Sequence, residues 1–109
     1  MDSFPVILKH YQAYLLLERG LSENTRQAYT ADVERFAAWL GSDVRPAEVS
    51  REHLENFIYE LHDAGIAPRS QARIISGLKS FFRFLTVDNV RPDDPMALFE
   101  APAIGRHLP

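Results

Sequence analysis

The sequence contains no cysteine and no long apolar run. The lack of cysteine excludes disulfide bonds and thiolate metal sites, and it fits a protein of the reducing cytoplasm. The longest uninterrupted apolar stretch is five residues, whereas a membrane-spanning helix needs about 20. The first residues carry no basic segment, so we expect no secretory signal peptide. The remaining composition is ordinary: 109 residues, 46% hydrophobic and 25% charged, enough for one globular domain.

Apolar residues recur at three- and four-residue spacing, which predicts an all-α fold. We expect four helices, over about 5–19, 23–40, 51–64 and 68–85. Ser22 and Ser50 are the expected N-caps of the second and third, and glycines should end the first three. A short fifth helix is expected over about 95–100. Together these make an orthogonal bundle of four helices plus a short C-terminal helix, with residues 1–100 as the domain and 101–109 as a linker.

Charge is unevenly distributed along a chain whose net charge is −3. Residues 41–65 hold six acidic residues and two arginines, a local net charge of −4. Residues 66–87 hold three arginines, one lysine and no acid, a local net charge of +4. The fourth helix is therefore a cationic element on an acidic protein.

The period of the fourth helix brings several of these polar residues to one face. They are Arg69, Arg73, Ser76, Ser80 and Arg83, with Gly77 adjoining. Arginine and serine donate hydrogen bonds to phosphate oxygens, and small residues allow a close approach to a surface. The alternative is a solvated helix face. Such faces usually carry opposite charges at i,i+4, and this helix carries no acid, which favours a nucleic-acid contact.

A second cluster of donors opens the second helix: Ser22, Asn24, Thr25, Arg26 and Gln27. A helix N-terminus offers unpaired main-chain N–H groups to an anion. Asn24 and Thr25 are poor helix formers, so helix propensity does not explain them. Ser22 is also the expected N-cap, and the two roles are compatible.

No constellation for catalysis or metal binding is visible in the sequence. The four histidines are scattered, none at i,i+3 or i,i+4 from another. No phosphate-cradling glycine-rich loop or nucleophile-elbow motif is present. We therefore expect neither a metal nor another cofactor, and no catalytic residue in this chain.

Three stretches of the chain resemble one known family. Residues 15–40 read Leu-x-x-Glu-Arg-Gly-Leu-Ser-x-Asn-Thr-x-x-x-Tyr-x-x-Asp-Val-x-x-Phe-x-x-Trp-Leu. Residues 73–85 read Arg-Ile-Ile-Ser-Gly-Leu-Lys-Ser-Phe-Phe-Arg-Phe-Leu, and Asp94-Pro95 is followed by Pro102 and by Arg-His-Leu-Pro at 106–109. In order and spacing they resemble the N-terminal core-binding domain of tyrosine site-specific recombinases, most closely the Xer recombinases.

The resemblance implies a SAM-like helical fold that forms one half of a C-shaped clamp on duplex DNA. The family's second and fourth helices cross the DNA groove. By position, the implied contacts are Ser22, Asn24, Thr25, Arg26, Arg69, Ser70, Arg73, Ser76 and Lys79. The implied packing positions are Tyr29, Val33, Phe36, Leu78 and Phe82.

The resemblance also implies a parent enzyme that cuts and rejoins DNA through a phosphotyrosine intermediate and resolves chromosome dimers. The family's catalytic arginines, lysine and nucleophilic tyrosine lie in a second domain, so Tyr11, Tyr14, Tyr29 and Tyr59 are not expected to be the nucleophile. The implied partners are a dif-like DNA site, homologous or paralogous subunits in a tetramer, and the translocase FtsK. No membrane or small-molecule ligand is implied.

Three alternatives to this interpretation stay open. The chain could belong to an integrase of a mobile element, which uses the same domain. It could be a helical protein-interaction module without a nucleic-acid partner. It could also be an enzyme whose site the sequence does not reveal.

Overall fold

A computed structural model describes residues 2–97 and 99. Over this part of the chain the fold is all-helical and contains no strand, as predicted. Four α-helices follow one another: α1 (Phe4–Leu17), α2 (Glu23–Leu40), α3 (Arg51–Asp63) and α4 (Pro68–Val87). A single turn of 3₁₀ helix at Pro46–Glu48 interrupts the loop between α2 and α3. The sequence pattern had indicated only a loop there.

Both predicted serine caps are present. The Ser22 hydroxyl accepts the main-chain N–H of Thr25 at the start of α2. Ser50 accepts the N–H of His53, and the imidazole Nδ1 of His53 accepts the N–H of Ser50 in return. Each cap satisfies donors that the first helical turn cannot pair internally. These caps set where α2 and α3 begin.

α3 and α4 each end at a residue whose backbone is in the left-handed conformation. Gly65, at φ +78°, follows α3, and the N–H of Ile66 bonds back to the Leu61 carbonyl. After α4 the left-handed residue is Asn89, at φ +58°. The N–H of Val90 bonds to the Leu85 carbonyl there. Both are Schellman motifs, a geometry open to glycine and, less often, to asparagine.

The core forms where α4 packs against the three other helices. Its centre is aromatic: the Phe81 ring lies against Phe4, Tyr11 and Phe82, at centroid separations of 5.9, 5.1 and 5.2 Å. Edge-to-face and offset contacts of this kind add to the free energy gained by burying the rings. The expected packing positions Val33, Phe36, Leu78 and Phe82 are buried and Tyr29 is half-buried, so these assignments are confirmed.

The segment after α4 is held to the domain by a buried arginine. Arg91 donates from Nη1 to the main-chain carbonyls of Pro46 and Val49, at 3.1 and 2.8 Å. It also forms an ion pair with Asp93 and lies over the Phe82 ring. The guanidinium donation holds the pKa of Asp93 below its usual range. Arg91 thereby ties the chain after α4 to the 3₁₀ turn.

Where the fifth helix was predicted to begin, residues 95–97 form a turn. In this turn the Asp94 side chain accepts the N–H of Met96. The Asp94 side chain thus caps this turn, but no regular helix follows at residues 95–97. Met96 and Phe99 are buried against the core, which explains the apolar pattern there. The predicted linker, 101–109, lies outside the described residues.

Replacing Arg91 with methionine tests this tie. Methionine fills much of the same volume but leaves two main-chain carbonyls without their donor. We expect the free energy of unfolding to fall by about 1–3 kcal/mol, measured by urea denaturation followed by circular dichroism. Arg83→Met, at an exposed position of α4, should change it by less than about 0.5 kcal/mol. Equal stability of the Arg91 variant and the native chain would contradict the tie.

Candidate nucleic-acid interface

The exposed face of α4 is cationic along its whole length. Arg69, Lys79 and Arg83 are exposed and make no ion pair within the part of the chain that the structure describes. Ser76 is exposed between them and Ser70 is half-buried. The opposite face of the same helix supplies the core. Burial of that apolar face therefore fixes which residues α4 presents outward.

Two residues predicted at the exposed face of α4 are instead turned towards neighbouring helices. Ser80 is half-buried and accepts a hydrogen bond from the Tyr11 hydroxyl at 3.0 Å, so it joins α4 to α1. Burial raises the pKa of this Tyr11 hydroxyl above its ordinary value. Gly77 is buried and faces α2, since a Cβ there would lie 3.2 Å from the Asp32 carboxylate. The small residue allows a close approach of another helix, not of an external surface.

Arg73 has an acidic partner that the sequence pattern did not indicate. Its Nη2 and Nε donate to the two carboxylate oxygens of Asp32 on α2, at 2.8 and 3.3 Å. The expectation that the cationic face lacks acidic partners is therefore wrong at this position. It was based on α4 alone, whereas Asp32 is 41 residues away in the chain. The pair raises the pKa of Arg73 through the hydrogen bond to Asp32.

Asp32 could have drawn attention in the sequence by its position. It falls within the apolar stripe of α2, between Tyr29 and Phe36 and next to Val33. A charged residue at a buried position needs a partner, because an unpaired buried charge is very costly. That signal predicts a partner without saying which residue supplies it.

The donors at the start of α2 divide between two sides of the helix. Thr25 lies two turns before Asp32, so it shares the side of α2 that faces α4. Asn24 is exposed beside it. Arg26 instead lines a groove between α1 and α2, together with Lys9 and Glu23. Its guanidinium donates to the Leu21 carbonyl, which removes part of its capacity for another ligand.

Arg35 is a cation that the sequence pattern did not single out. It is exposed, makes no ion pair within the described residues, and follows Asp32 by three positions. It therefore lies on the same side of α2 as the Asp32–Arg73 pair. We define the α2–α4 surface as Asn24, Thr25, Arg35, Arg69, Arg73, Ser76, Lys79 and Arg83.

Four of the fifteen acidic residues lie on α3, more than on any of the other three α-helices. Glu52, Glu55, Glu60 and Asp63 are all exposed there. Glu55 pairs with Arg51 on the same helix at 3.2 Å. The fold thus places four cations and no acid on α4, and four acids with one arginine on α3. A polyanion approaching such a molecule is attracted at one side and repelled at the other.

Among the described residues, no group of histidine or acidic side chains could hold a metal ion, and no helix is long and apolar enough to cross a bilayer. The fold and this surface define the class of protein: a small helical domain with one cationic face.

The chain belongs to the phage integrase N-terminal SAM-like domain family, whose model matches residues 8–89. It is 38% identical over 103 residues to tyrosine recombinase XerD of Chlorobaculum tepidum, covering 94% of this chain and 34% of that protein. It is 36% identical over 109 residues to tyrosine recombinase XerD of Haemophilus ducreyi, covering 100% of this chain and 37% of that one.

A tyrosine recombinase of Pseudothermotoga lettingae is 35% identical over 106 residues, covering 94% of this chain and 37% of that protein. The chain thus spans about a third of the length of the curated relatives it matches. No solved structure matches. The resemblance to the recombinase family and its SAM-like fold is confirmed, whereas the individual contact residues stay predictions.

The cap at Ser22 can be tested separately from any binding role. Ser22→Ala removes the acceptor for the Thr25 N–H, so we expect the free energy of unfolding to fall by about 1 kcal/mol. Ser76→Ala is the matched control, because alanine is the better helix former at an exposed position inside a helix. Thermal unfolding of both variants checks this. A Ser22 variant as stable as the Ser76 variant would contradict the cap.

Proposed function

We propose that this chain binds duplex DNA through the α2–α4 surface, as the DNA-binding domain of a tyrosine site-specific recombinase of the Xer type. The observation that carries the proposal is the exposed face of α4. It holds three cations that make no ion pair with any residue the structure describes, on a protein of net charge −3, and α4 itself contains no acid. Family membership supports the same conclusion independently.

The contacts proposed on this surface follow from its chemistry. Arg69, Lys79 and Arg83 would neutralise phosphates, and the Ser76 hydroxyl would donate to a phosphate oxygen. Asn24 and Thr25 would contact the backbone or base edges from the first turn of α2. We retain Ser22 and Ser70 as candidates at the margin of the surface. Arg26 is the weakest of the predicted contacts, because it lies on the α1 side of α2 and already bonds to a carbonyl.

The parent enzyme would carry the chemistry outside this chain. A tyrosine hydroxyl would attack the scissile phosphate, form a 3′-phosphotyrosyl link and release a 5′-hydroxyl, which later attacks in the partner duplex. The phosphotyrosine conserves the bond energy, so neither ATP nor a metal ion is needed. We propose that four homologous or paralogous subunits act on dif-like sites in the cytoplasm, under control of FtsK, to resolve chromosome dimers.

A mobile-element integrase would use the same domain in the same way. The two cases differ in the DNA site and partners, and not in the chemistry of this surface. A pure protein-interaction module would have no affinity for DNA.

Salt dependence of duplex binding tests the proposal. Three or four neutralised phosphates predict a slope of log affinity against log salt between about −3 and −4, from roughly −0.9 per phosphate. The measurement is fluorescence anisotropy of a labelled duplex of about 30 base pairs, roughly three helical turns.

Two lysine variants locate the surface. Lys79→Gln, on α4, should weaken binding on any sequence and make the slope shallower by about 1. Lys9→Gln changes the net charge equally but lies on α1, so it should leave the slope unchanged. Equal losses for both lysines would refute the location, and no duplex binding by the native chain at low salt would refute the function.

A further inference from the structure

The Asp32–Arg73 pair joins a buried carboxylate to an exposed guanidinium. The Asp32 side chain is 3% exposed and that of Arg73 is 52% exposed. A carboxylate so deeply buried is tolerated because the arginine compensates its charge and occupies both its oxygens. Gly77, one turn further along α4 than Arg73, also lies close to this carboxylate, since a Cβ there would come within 3.2 Å of Asp32 Oδ2. The carboxylate therefore has little freedom to move.

The contact occupies one particular edge of the guanidinium. Asp32 accepts from Nε and Nη2, which form the side edge of the arginine fork. The end edge, made by Nη1 and the second hydrogen of Nη2, is not used by this pair. Because the guanidinium is planar and rigid, holding one edge fixes the direction of the other. Arg73 thus presents two parallel donors in a direction set by Asp32.

We propose that Asp32 is a positioning residue, which orients Arg73 to bind a pair of acceptors on duplex DNA through its end edge. The inference rests on the proposed function and deepens it. The acceptor pair is either two phosphate oxygens or the O6 and N7 atoms of a guanine, both of which match an arginine fork.

Arg73 would contribute to binding in a different way from the other cations of the α2–α4 surface. Arg69, Lys79 and Arg83 make no ion pair with residues 2–97 or 99, and they would supply attraction that depends on salt and not on direction. Arg73 shares its charge with Asp32, so its contribution would depend on geometry more than on net charge. Lysine cannot reproduce that contribution, because its ammonium is a single point charge without a fork.

A double-mutant cycle of four proteins isolates the part of the Arg73 contribution to DNA affinity that depends on geometry. Arg73→Lys is made in the native chain and in the Asp32→Asn variant, and the affinity ratio of arginine to lysine is measured in each background. Arginine and lysine carry the same charge, so the electrostatic effect of removing the Asp32 carboxylate cancels from each ratio. The probe is a duplex of about 30 base pairs selected by the native chain from a randomised pool, roughly three helical turns.

We expect the lysine substitution to weaken binding roughly 5- to 150-fold in the native background, the range of one bidentate contact. In the Asp32→Asn background the guanidinium is no longer held by a carboxylate, so the ratio should fall below about 2-fold. The same ratio in both backgrounds, or no loss for lysine in the native background, would overturn the inference. A role for Asp32 in stability alone would lower the unfolding temperature and leave the ratio unchanged, which also overturns it.

Two further arms complete the test. Replacing guanine by 7-deazaguanine removes the N7 acceptor. An arginine-to-lysine affinity ratio that falls to 1 then indicates a base contact, and a ratio that persists indicates a phosphate contact.

The matched control is Arg51→Lys, made in the native chain and in the Glu55→Gln variant. That pair lies on the acidic helix α3, where both ratios should be near 1. If Asp32→Asn does not fold, Asp32→Ala replaces it, because alanine also removes the carboxylate, with the same expected fall in the ratio.

The outcomes separate this inference from the function on which it rests. Native binding with equal ratios in both backgrounds overturns the positioning role and leaves the DNA-binding role intact. No native binding overturns both.

Discussion

The amphipathic character of α4 is the constraint on which the rest of the molecule depends. Its buried face contacts the other three helices and contributes Phe81 and Phe82 to the centre of the core. Burial of this face sets the rotation of the helix about its axis, and with it the outward direction of Arg69, Lys79 and Arg83. The core and the candidate interface are therefore two sides of one helix, and a change that rotates α4 would alter both.

Within the described part of the chain, two charged side chains are buried, and they have different roles. Arg91 is enclosed by main-chain carbonyls and an aromatic ring, and it closes the domain after α4. Asp32 lies where α2 and α4 meet and reaches the surface only through Arg73. The hydrogen-bond donors of Arg91 thus find their acceptors within the fold. The Asp32–Arg73 pair leaves donors of Arg73 facing solvent at the α2–α4 surface, and for this reason it bears on function.

The helices and their starting points could be predicted because they depend on local chemistry. Apolar spacing determined the four helices, and Ser22 and Ser50 were recognisable caps. The C-terminal segment was harder, because its apolar residues meet the core from a turn and not from a helix. The left-handed residue Asn89 ends α4 with a motif in which glycine is far more common.

The candidate site was predictable only as far as it lies on single helices. Helical period assigned Arg69, Ser76 and Arg83 correctly to the outer face of α4. It could not show that Ser80 bonds to Tyr11, 69 residues away, or that Arg73 meets Asp32, because those contacts depend on how the helices pack. The same limitation hid the position of Arg26 against α1. Pairings between distant residues need the tertiary structure.

Amide chemical-shift mapping with duplex DNA tests the central claim most directly. The chain would be titrated with a duplex of about 30 base pairs, roughly three helical turns, at low and at high salt. We expect shifts clustered at residues 24–35 and 69–83, weakened by salt and small on the acidic helix α3. Shifts concentrated on α3, or spread evenly over the molecule without regard to salt, would contradict it.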